Sequence, residues 1–242
     1  MAFGLTKKKK KQSGIRCAAV VAAAGSSTRM DGRNKLFVEL DGKPVLVWTL
    51  LALDSCDAID DIVVVTRKPD IDAVAVLCRA HHIKKIFKVV AGGESRQESV
   101  YRGALEVPED TQLIAVHDGA RPFVTEMVIQ SAVSAAAQYG AAAPSVPVVS
   151  TVKEAKNGTV IRTLDRSTLF EIQTPQVFDA AILKGALHHA LEKGITVTDD
   201  CMAVESLGYP VHLTPGAREN IKLTTAADIA FANAILDMRR KS

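Results

Sequence analysis

The sequence predicts an α/β fold, with a mainly parallel sheet flanked by helices. Short runs of small or β-branched apolar residues alternate with longer segments of helical periodicity. The apolar runs are almost continuous rather than alternating, as expected of strands covered on both faces. Several of them lead directly into loops rich in glycine or small residues.

Residues 16–24 form the first such run, Arg16 followed by cysteine, alanine and valine only, and it suits a buried strand. Pro44 stands at a favoured first-turn position for a helix carrying Val45, Trp48, Leu51 and Ala52. Residues 62–66 are a β-branched strand, 70–80 a helix and 86–90 the next strand. Residues 95–106 read as a helix with Val100, Ala104 and Val107 on one side, stopped by Pro108. The run 113–116 is a strand, and Thr125 can cap a helix that carries Met127, Val128, Ala132, Val133 and Ala136. This rhythm builds βαβ units and makes the expected architecture Rossmann-like.

The rhythm breaks between residues 144 and 175, where Pro144 and Pro147 punctuate the chain. Residues 148–153 and 159–164 then alternate around Asn157-Gly158, a strong short-range hairpin signal. A hairpin inserted into a βαβ series projects from the body and exposes strand edges that need a cover. The expectation is a β-arm over about residues 146–168 that makes a homodimer with a second copy. The chain then returns to helices at 180–191 and 199–207, a short strand at 211–213, and a last helix capped by Thr224 or Thr225 and running to about 238. Residues 1–14 are expected to be a flexible basic leader and 15–242 a single domain.

Of the 242 residues, 48% are hydrophobic and 24% charged, which excludes a chain disordered over most of its length. Five lysines, Lys7 to Lys11, are consecutive; subtracting them from the net charge of +3 leaves −2. The basic balance therefore belongs to one tail, read as a solvated arm rather than a nucleic-acid face. Cys17, Cys56, Cys78 and Cys201 are far apart and contain no C-x-x-C pair, so they read as buried thiols of a reducing compartment. Charged residues interrupt every apolar stretch before it reaches membrane-spanning length, and no apolar signal core follows the leader. These features predict a cytoplasmic protein with neither nucleic acid nor membrane as partner.

Three segments carry candidate chemistry. The first is Ala23-Ala24-Gly25-Ser26-Ser27-Thr28-Arg29-Met30, followed by Lys35. Small residues let backbone N–H groups approach phosphate oxygens, and two cations on the same loop can neutralise charge that builds around an attacked phosphorus. The spacing fits neither G-x-x-x-x-G-K-[ST] nor G-x-G-x-x-G. The second is Gly92-Gly93-Glu94-Ser95-Arg96-Gln97-Glu98-Ser99, a glycine turn opening a helix, whose free N–H groups can read the edge of a base. The third is His117-Asp118-Gly119-Ala120-Arg121-Pro122, placed after a strand. Its carboxylate can take a hydroxyl or a metal-bound water, and Arg121 can hold a substrate phosphate or lock the loop. All three follow strands, so in a parallel sheet they converge at one edge.

With Thr174-Pro175-Gln176-Val177-Phe178, Thr198-Asp199-Asp200 and Asn220-Ile221-Lys222-Leu223-Thr224, these motifs form an ordered set over roughly residues 15–240. The set resembles the 2-C-methyl-D-erythritol 4-phosphate cytidylyltransferase family of the non-mevalonate isoprenoid pathway. The resemblance implies transfer of CMP from CTP to that sugar-alcohol phosphate, with Mg²⁺ or another divalent metal on the triphosphate. It implies that Ala23, Ala24, Gly25, Gly93 and Ser99 hold the cytidine and triphosphate, and that Arg29 and Lys35 stabilise the transition state. Asp118 and Gly119 would lie on the ribose and metal side; no direct protein ligand is expected for the metal, which the triphosphate and water would hold, with Asp118 the candidate if a residue of this motif reaches it. Thr151, Arg166, Lys222 and Thr198 would grip the acceptor, the first two reaching from the arm into a neighbouring subunit's site. This chain has Ser150-Thr151 where the family has Asp-Thr.

Other residues read more plainly. His81-His82 and His188-His189 are surface histidines. Asp199-Asp200 caps a helix, with metal binding as the alternative. Trp48, Phe37 and Phe123 belong to the core. A ribitol-phosphate or related pentitol-phosphate cytidylyltransferase and a non-catalytic nucleotide-binding domain stay open as rival functions.

Overall fold

The computed structural model describes residues 14–25 and 35–241. The lysine run and Arg29 lie outside the described residues. The elements are β1 (Cys17–Ala23), β2 (Glu39–Leu40), β3 (Lys43–Pro44), α1 (Val45–Ser55), β4 (Asp61–Thr66), α2 (Ile71–Ala80), β5 (Ile86–Ala91), α3 (Arg96–Leu105) and β6 (Leu113–Asp118). They continue with α4 (Glu126–Tyr139), β7 (Ala141–Pro147), β8 (Lys153–Lys156), β9 (Thr159–Thr163), β10 (Phe170–Ile172) and β11 (Gln176–Asp179). The last are α5 (Ala180–Glu192), α6 (Asp200–Glu205), β12 (His212–Pro215) and α7 (Ala226–Lys241).

Among the described residues the main sheet has eight strands in the order β10-β7-β11-β6-β1-β4-β5, with β12 also paired to β7. Strands β6, β1, β4 and β5 are mutually parallel, as is the β12–β7 pair. Strands β10 and β11 join antiparallel. The small residues of β1 are explained by its two covered faces. Cys17, Ala19, Val21 and Ala23 pack toward Leu46 and Leu50 of α1, Val74 of α2 and Val128 of α4. Ala18 and Val20 pack on the opposite face with Val100 of α3 and Leu183 and Leu187 of α5. Alternate residues of a strand point to opposite faces, so one strand serves both layers. Gly103 lets α3 lie close on the sheet: a Cβ there would come within 2.4 Å of Val65 and 2.7 Å of Val20.

Three expectations are corrected. Pro44 is the N-cap of α1 and the end of β3, not the first helical residue; it pairs with Glu39 in a small hairpin. His117 and Asp118 are strand residues of β6, because β1 extends far enough to pair with them through Val21 and Ala22. Pro144 lies within a strand, β7, instead of breaking the sheet. It has no N–H to offer, and its carbonyl accepts from the Gln173 N–H at 2.7 Å.

The hairpin forms as β8 and β9 around Asn157 and Gly158, both at positive φ (51° and 78°), the combination a two-residue type I′ turn requires. It is shorter than the 148–153 and 159–164 runs. It forms its own two-stranded sheet, all of whose strand residues are exposed.

The chain moves from β1 through α1 to β4 on one side of β1, and then on to β5. It returns through α3 to β6 on the other side of β1. Beyond the carboxyl ends of β1 and β6 the loops therefore diverge and leave a crevice.

Candidate functional site

A cavity of about 380 Å³ opens at this crevice. Ala22, Ala23, Ala24 and Gly25 line it from the end of β1, and Lys35 and Leu36 from the segment that follows. Gly93, Glu94, Ser95, Arg96 and Ser99 line it from the start of α3, Asp118 and Ala120 from the end of β6, and Lys222 from the segment before α7. The three segments converge as the sequence predicts, although β4 lies between β1 and β5.

Local hydrogen bonds fix each wall. The Ser95 hydroxyl accepts from the Glu98 N–H at 3.0 Å and caps α3. The Glu98 carboxylate accepts from the Glu94 N–H at 2.8 Å, and the Ser99 hydroxyl accepts from the Gly93 N–H at 3.0 Å. Gly92 brings this turn against the first loop: a Cβ there would lie 2.6 Å from both Ala24 Cβ and Ser99 Oγ. Lys35 starts a single 3-10 turn pinned by buried Leu36.

The floor of the site is a charge cluster around Asp118, whose side chain is 9% exposed. Lys222 Nζ lies 2.9 Å and Arg121 Nε 3.4 Å from its Oδ2, and Arg96 Nε lies 3.5 Å from its Oδ1. Arg96 also donates to Asp200 Oδ2 at 2.8 Å. Burial alone would raise the Asp118 pKa, but Arg96 and then Lys222 and Arg121 hold it well below the usual carboxylate range. Burial raises the Asp200 pKa against the pull of Arg96. Lys222 is placed by its neighbours. The Asn220 carbonyl accepts from Arg121 at 2.7 Å, the Asn220 amide donates to the Thr174 carbonyl at 2.9 Å, and the Leu223 N–H donates to the Ala120 carbonyl at 2.9 Å.

Behind Asp118 sits His117, wholly buried. The Asp118 N–H donates to Thr174 Oγ1 at 3.1 Å, and Thr174 lies 2.9 Å from His117 Nδ1. If the Thr174 hydroxyl donates to Nδ1, Nε2 carries the proton and donates to the Arg121 carbonyl at 3.2 Å. That chain needs a neutral ring, and burial pushes the His117 pKa down to about 4 from 6.5. The unfolded chain then binds a proton between pH 6.5 and 4 that the folded chain refuses, so stability falls as pH falls through that window. The expected loss is on the order of 3 kcal/mol. Urea titrations from pH 7 to 4 should show it, and His117→Gln should flatten the profile; an equally steep profile in the variant would refute the assignment.

Of the predicted residues, Ala23, Ala24, Gly25, Lys35, Gly93, Ser99, Asp118 and Lys222 line the cavity. Gly119 and Arg121 do not. The Gly119 N–H donates to the Ala22 carbonyl at 3.0 Å and its carbonyl accepts from Thr49 at 2.9 Å, which ties β6 to β1 and α1. Arg121, 13% exposed, faces Asp118 and donates to the Asn220 carbonyl. Thr198 is exposed, with its hydroxyl 3.7 Å from the Met202 sulfur, and is not part of the cavity wall. Thr151 and Arg166 are exposed on the arm side, and Arg166 donates to the Val149 carbonyl at 2.7 Å.

Arg96 and Glu94 were not singled out as site residues, and the buried Asp200 was read only with Asp199, as a helix cap with metal binding as the alternative. Arg96 is the first residue of a helix after a glycine turn, a position that faces the sheet's carboxyl edge. Its two carboxylate partners are remote in sequence and gave no such signal. Asp199 does cap α6, accepting from the Met202 N–H at 2.9 Å. Phe123 is buried, and Phe37 and Trp48 pack partly buried against the core. All four cysteines are buried thiols outside any disulfide.

Among the described residues no group of three or more His, Cys, Asp or Glu side chains could hold a metal ion. The cavity lining has two carboxylates, Glu94 and Asp118, against the cations Lys35, Arg96 and Lys222, a donor set that fits a metal carried in by a polyanionic ligand better than one held by the protein.

A model of the 2-C-methyl-D-erythritol 4-phosphate cytidylyltransferase family matches residues 17–238. A protein of that name from Halalkalibacterium halodurans is 43% identical over 218 residues, covering 90% of this chain and 95% of its own. One from Caldanaerobacter subterraneus is 42% identical over 225 residues, covering 90% and 97%. Among solved structures, 4-diphosphocytidyl-2C-methyl-D-erythritol synthase from Anaerococcus prevotii aligns with a TM-score of 0.84 and 31% identity over 93% of this chain and 97% of its own.

Proposed function

The chain belongs to the 2-C-methyl-D-erythritol 4-phosphate cytidylyltransferase family, and from that premise we propose how its cavity carries out the transfer. The reaction takes CMP from CTP to 2-C-methyl-D-erythritol 4-phosphate, giving 4-diphosphocytidyl-2-C-methyl-D-erythritol and pyrophosphate. An acceptor phosphate oxygen forms a bond to the α-phosphorus, and the bond from that phosphorus to the β-phosphate oxygen breaks. The nucleophile is already ionised, so the protein's work is positioning and charge neutralisation.

The observation that carries this reading is the convergence of three strand-end loops and the cations Lys35, Arg96 and Lys222 on one cavity at the topological switch. Backbone groups of residues 23–25 and 93 face the nucleotide, while Lys35, and Arg29 by the family pattern, stabilise charge growing around the α-phosphorus. A divalent metal bound with the triphosphate would supply further charge neutralisation, and Asp118 is the residue of the cavity that would hold it. We read residues 15–242 as one domain, since a single sheet draws on strands from Cys17 to Pro215. No helix among the described residues is long and apolar enough to cross a membrane; four buried cysteines outside any disulfide support a cytoplasmic location.

The arm is the proposed dimer contact. It exposes Val149, Val160 and Ile161, each more than half accessible, and Thr151 and Arg166 lie outside their own subunit's cavity wall. Arg166→Ala should raise KM for the acceptor about tenfold or more with a smaller change in kcat. Mixed dimers of Lys35→Ala and Arg166→Ala protomers test the crossing. If the arm serves the neighbour, one site in each mixed dimer regains both residues and activity returns. If it serves its own subunit, every site keeps one lesion and mixing recovers nothing.

Pyrophosphate release with Mg²⁺ and CTP tests the function, comparing methylerythritol phosphate with ribitol 5-phosphate. Release with the first alone is expected. Release with the second would reassign the acceptor, and CTP binding without release would leave a silent nucleotide-binding domain.

A further inference from the structure

We propose that Asp200 is a positioning residue for the nucleotide cavity: its buried carboxylate holds Arg96 back, so that the guanidinium lines the cavity wall instead of closing over Asp118. The inference rests on the reading that this cavity binds CTP.

Asp200 is the first residue of α6 and is fully buried. Its backbone is clamped from β11, where the Gln176 side-chain carbonyl accepts from the Asp200 N–H at 3.0 Å and the Cys201 N–H at 3.1 Å. The same amide donates to Asp199 at 2.8 Å. The carboxylate itself engages Arg96 through Oδ2 at 2.8 Å, and its Oδ1 has no hydrogen-bond partner. The dipole of a six-residue helix favours a first-turn carboxylate by less than burying that charge costs. Burying a charge is costly, and an apolar residue of similar volume would pack at least as well. The carboxylate's effect is therefore on Arg96.

Arg96 lies between two carboxylates, at 2.8 Å from Asp200 and 3.5 Å from Asp118. With the charge at residue 200 removed, Asp118 is the remaining anion. The guanidinium then moves toward it, into the cavity, and competes with Lys222, now 2.9 Å from the same carboxylate. A merely structural Asp200 would change stability alone.

The test is CTP affinity by calorimetry, with steady-state kinetics on the full chain. Asp200→Asn should weaken CTP binding and raise KM for CTP about tenfold, with KM for the acceptor changed less than about threefold. Because Asp200 acts through Arg96, R96Q/D200N should bind CTP no more weakly than R96Q. Lower thermal stability with unchanged CTP affinity overturns the proposal, as do additive losses in the double variant. Should D200N not fold, Asp200→Ser, which keeps Arg96 and removes the charge, takes its place in the comparison with wild type. A tenfold weakening there supports the proposal, and unchanged CTP affinity overturns it. Wild-type protein that binds CTP without releasing pyrophosphate sinks the functional reading and leaves this inference standing; wild-type protein that binds no CTP overturns both.

Discussion

Asp118→Asn is expected to lower folding stability by about 3 kcal/mol and kcat/KM by about a hundredfold or more. The substitution keeps the shape and removes the charge on which Arg96, Arg121 and Lys222 converge. Arg121 is nearly buried and would lose its only carboxylate partner among the described residues, which is the expensive case of a charge left without its counter-ion. Arg96 keeps Asp200, and Lys222 is 38% exposed and regains water, so the loss is smaller than three full pairs. The acid dependence follows by sign. The folded-state pKa of Asp118 lies below its unfolded value of 3.8, so its contribution is complete above that value and is lost as pH falls below it. Chemical denaturation of the variant should show a flatter profile below about pH 4 than wild type. An unchanged midpoint at neutral pH would show that the cluster contributes nothing to stability.

Lys35→Ala is expected to lower kcat by about a hundredfold to a thousandfold with a much smaller effect on KM for CTP. The cation lines the cavity, and its backbone is held by a single helical turn anchored through buried Leu36. A charge that meets the α-phosphate most closely as negative charge builds there contributes to the transition state more than to the bound substrate. Steady-state kinetics with both substrates varied separate the two effects. A variant with wild-type kcat and raised KM for CTP would make Lys35 a binding residue, and one unchanged in both would remove it from the site.

Most of the parallel core was legible because it rests on local signals. The runs at 16–24, 62–66, 86–90 and 113–116 became β1, β4, β5 and β6 within two residues at each end. Caps at Ser95, Thr125 and Asp199 follow from side chains that satisfy the first N–H groups of a helix. The Asn157-Gly158 turn was legible because few dipeptides tolerate two positive φ angles. Strands β7, β10 and β11 were not. Strands β10 and β11 are short, Pro144 argues against a strand at β7, and the pairing partners lie far along the chain.

The site divides the same way. The sequence by itself determined which loops meet, since strands parallel in one sheet deliver their carboxyl ends to one edge. It also picked out residues that line the cavity, Ala23, Ala24, Gly25, Lys35, Gly93 and Asp118. Only the tertiary structure decided how the charges pair. It joined Arg96 to Asp118 and Asp200, turned Arg121 inward onto the Asn220 carbonyl, and set buried His117 behind the carboxylate. Those contacts depend on distances of a few ångströms between elements up to about a hundred residues apart. The physical reason is that an ion pair's worth depends on burial and geometry, which packing fixes and residue order does not encode locally.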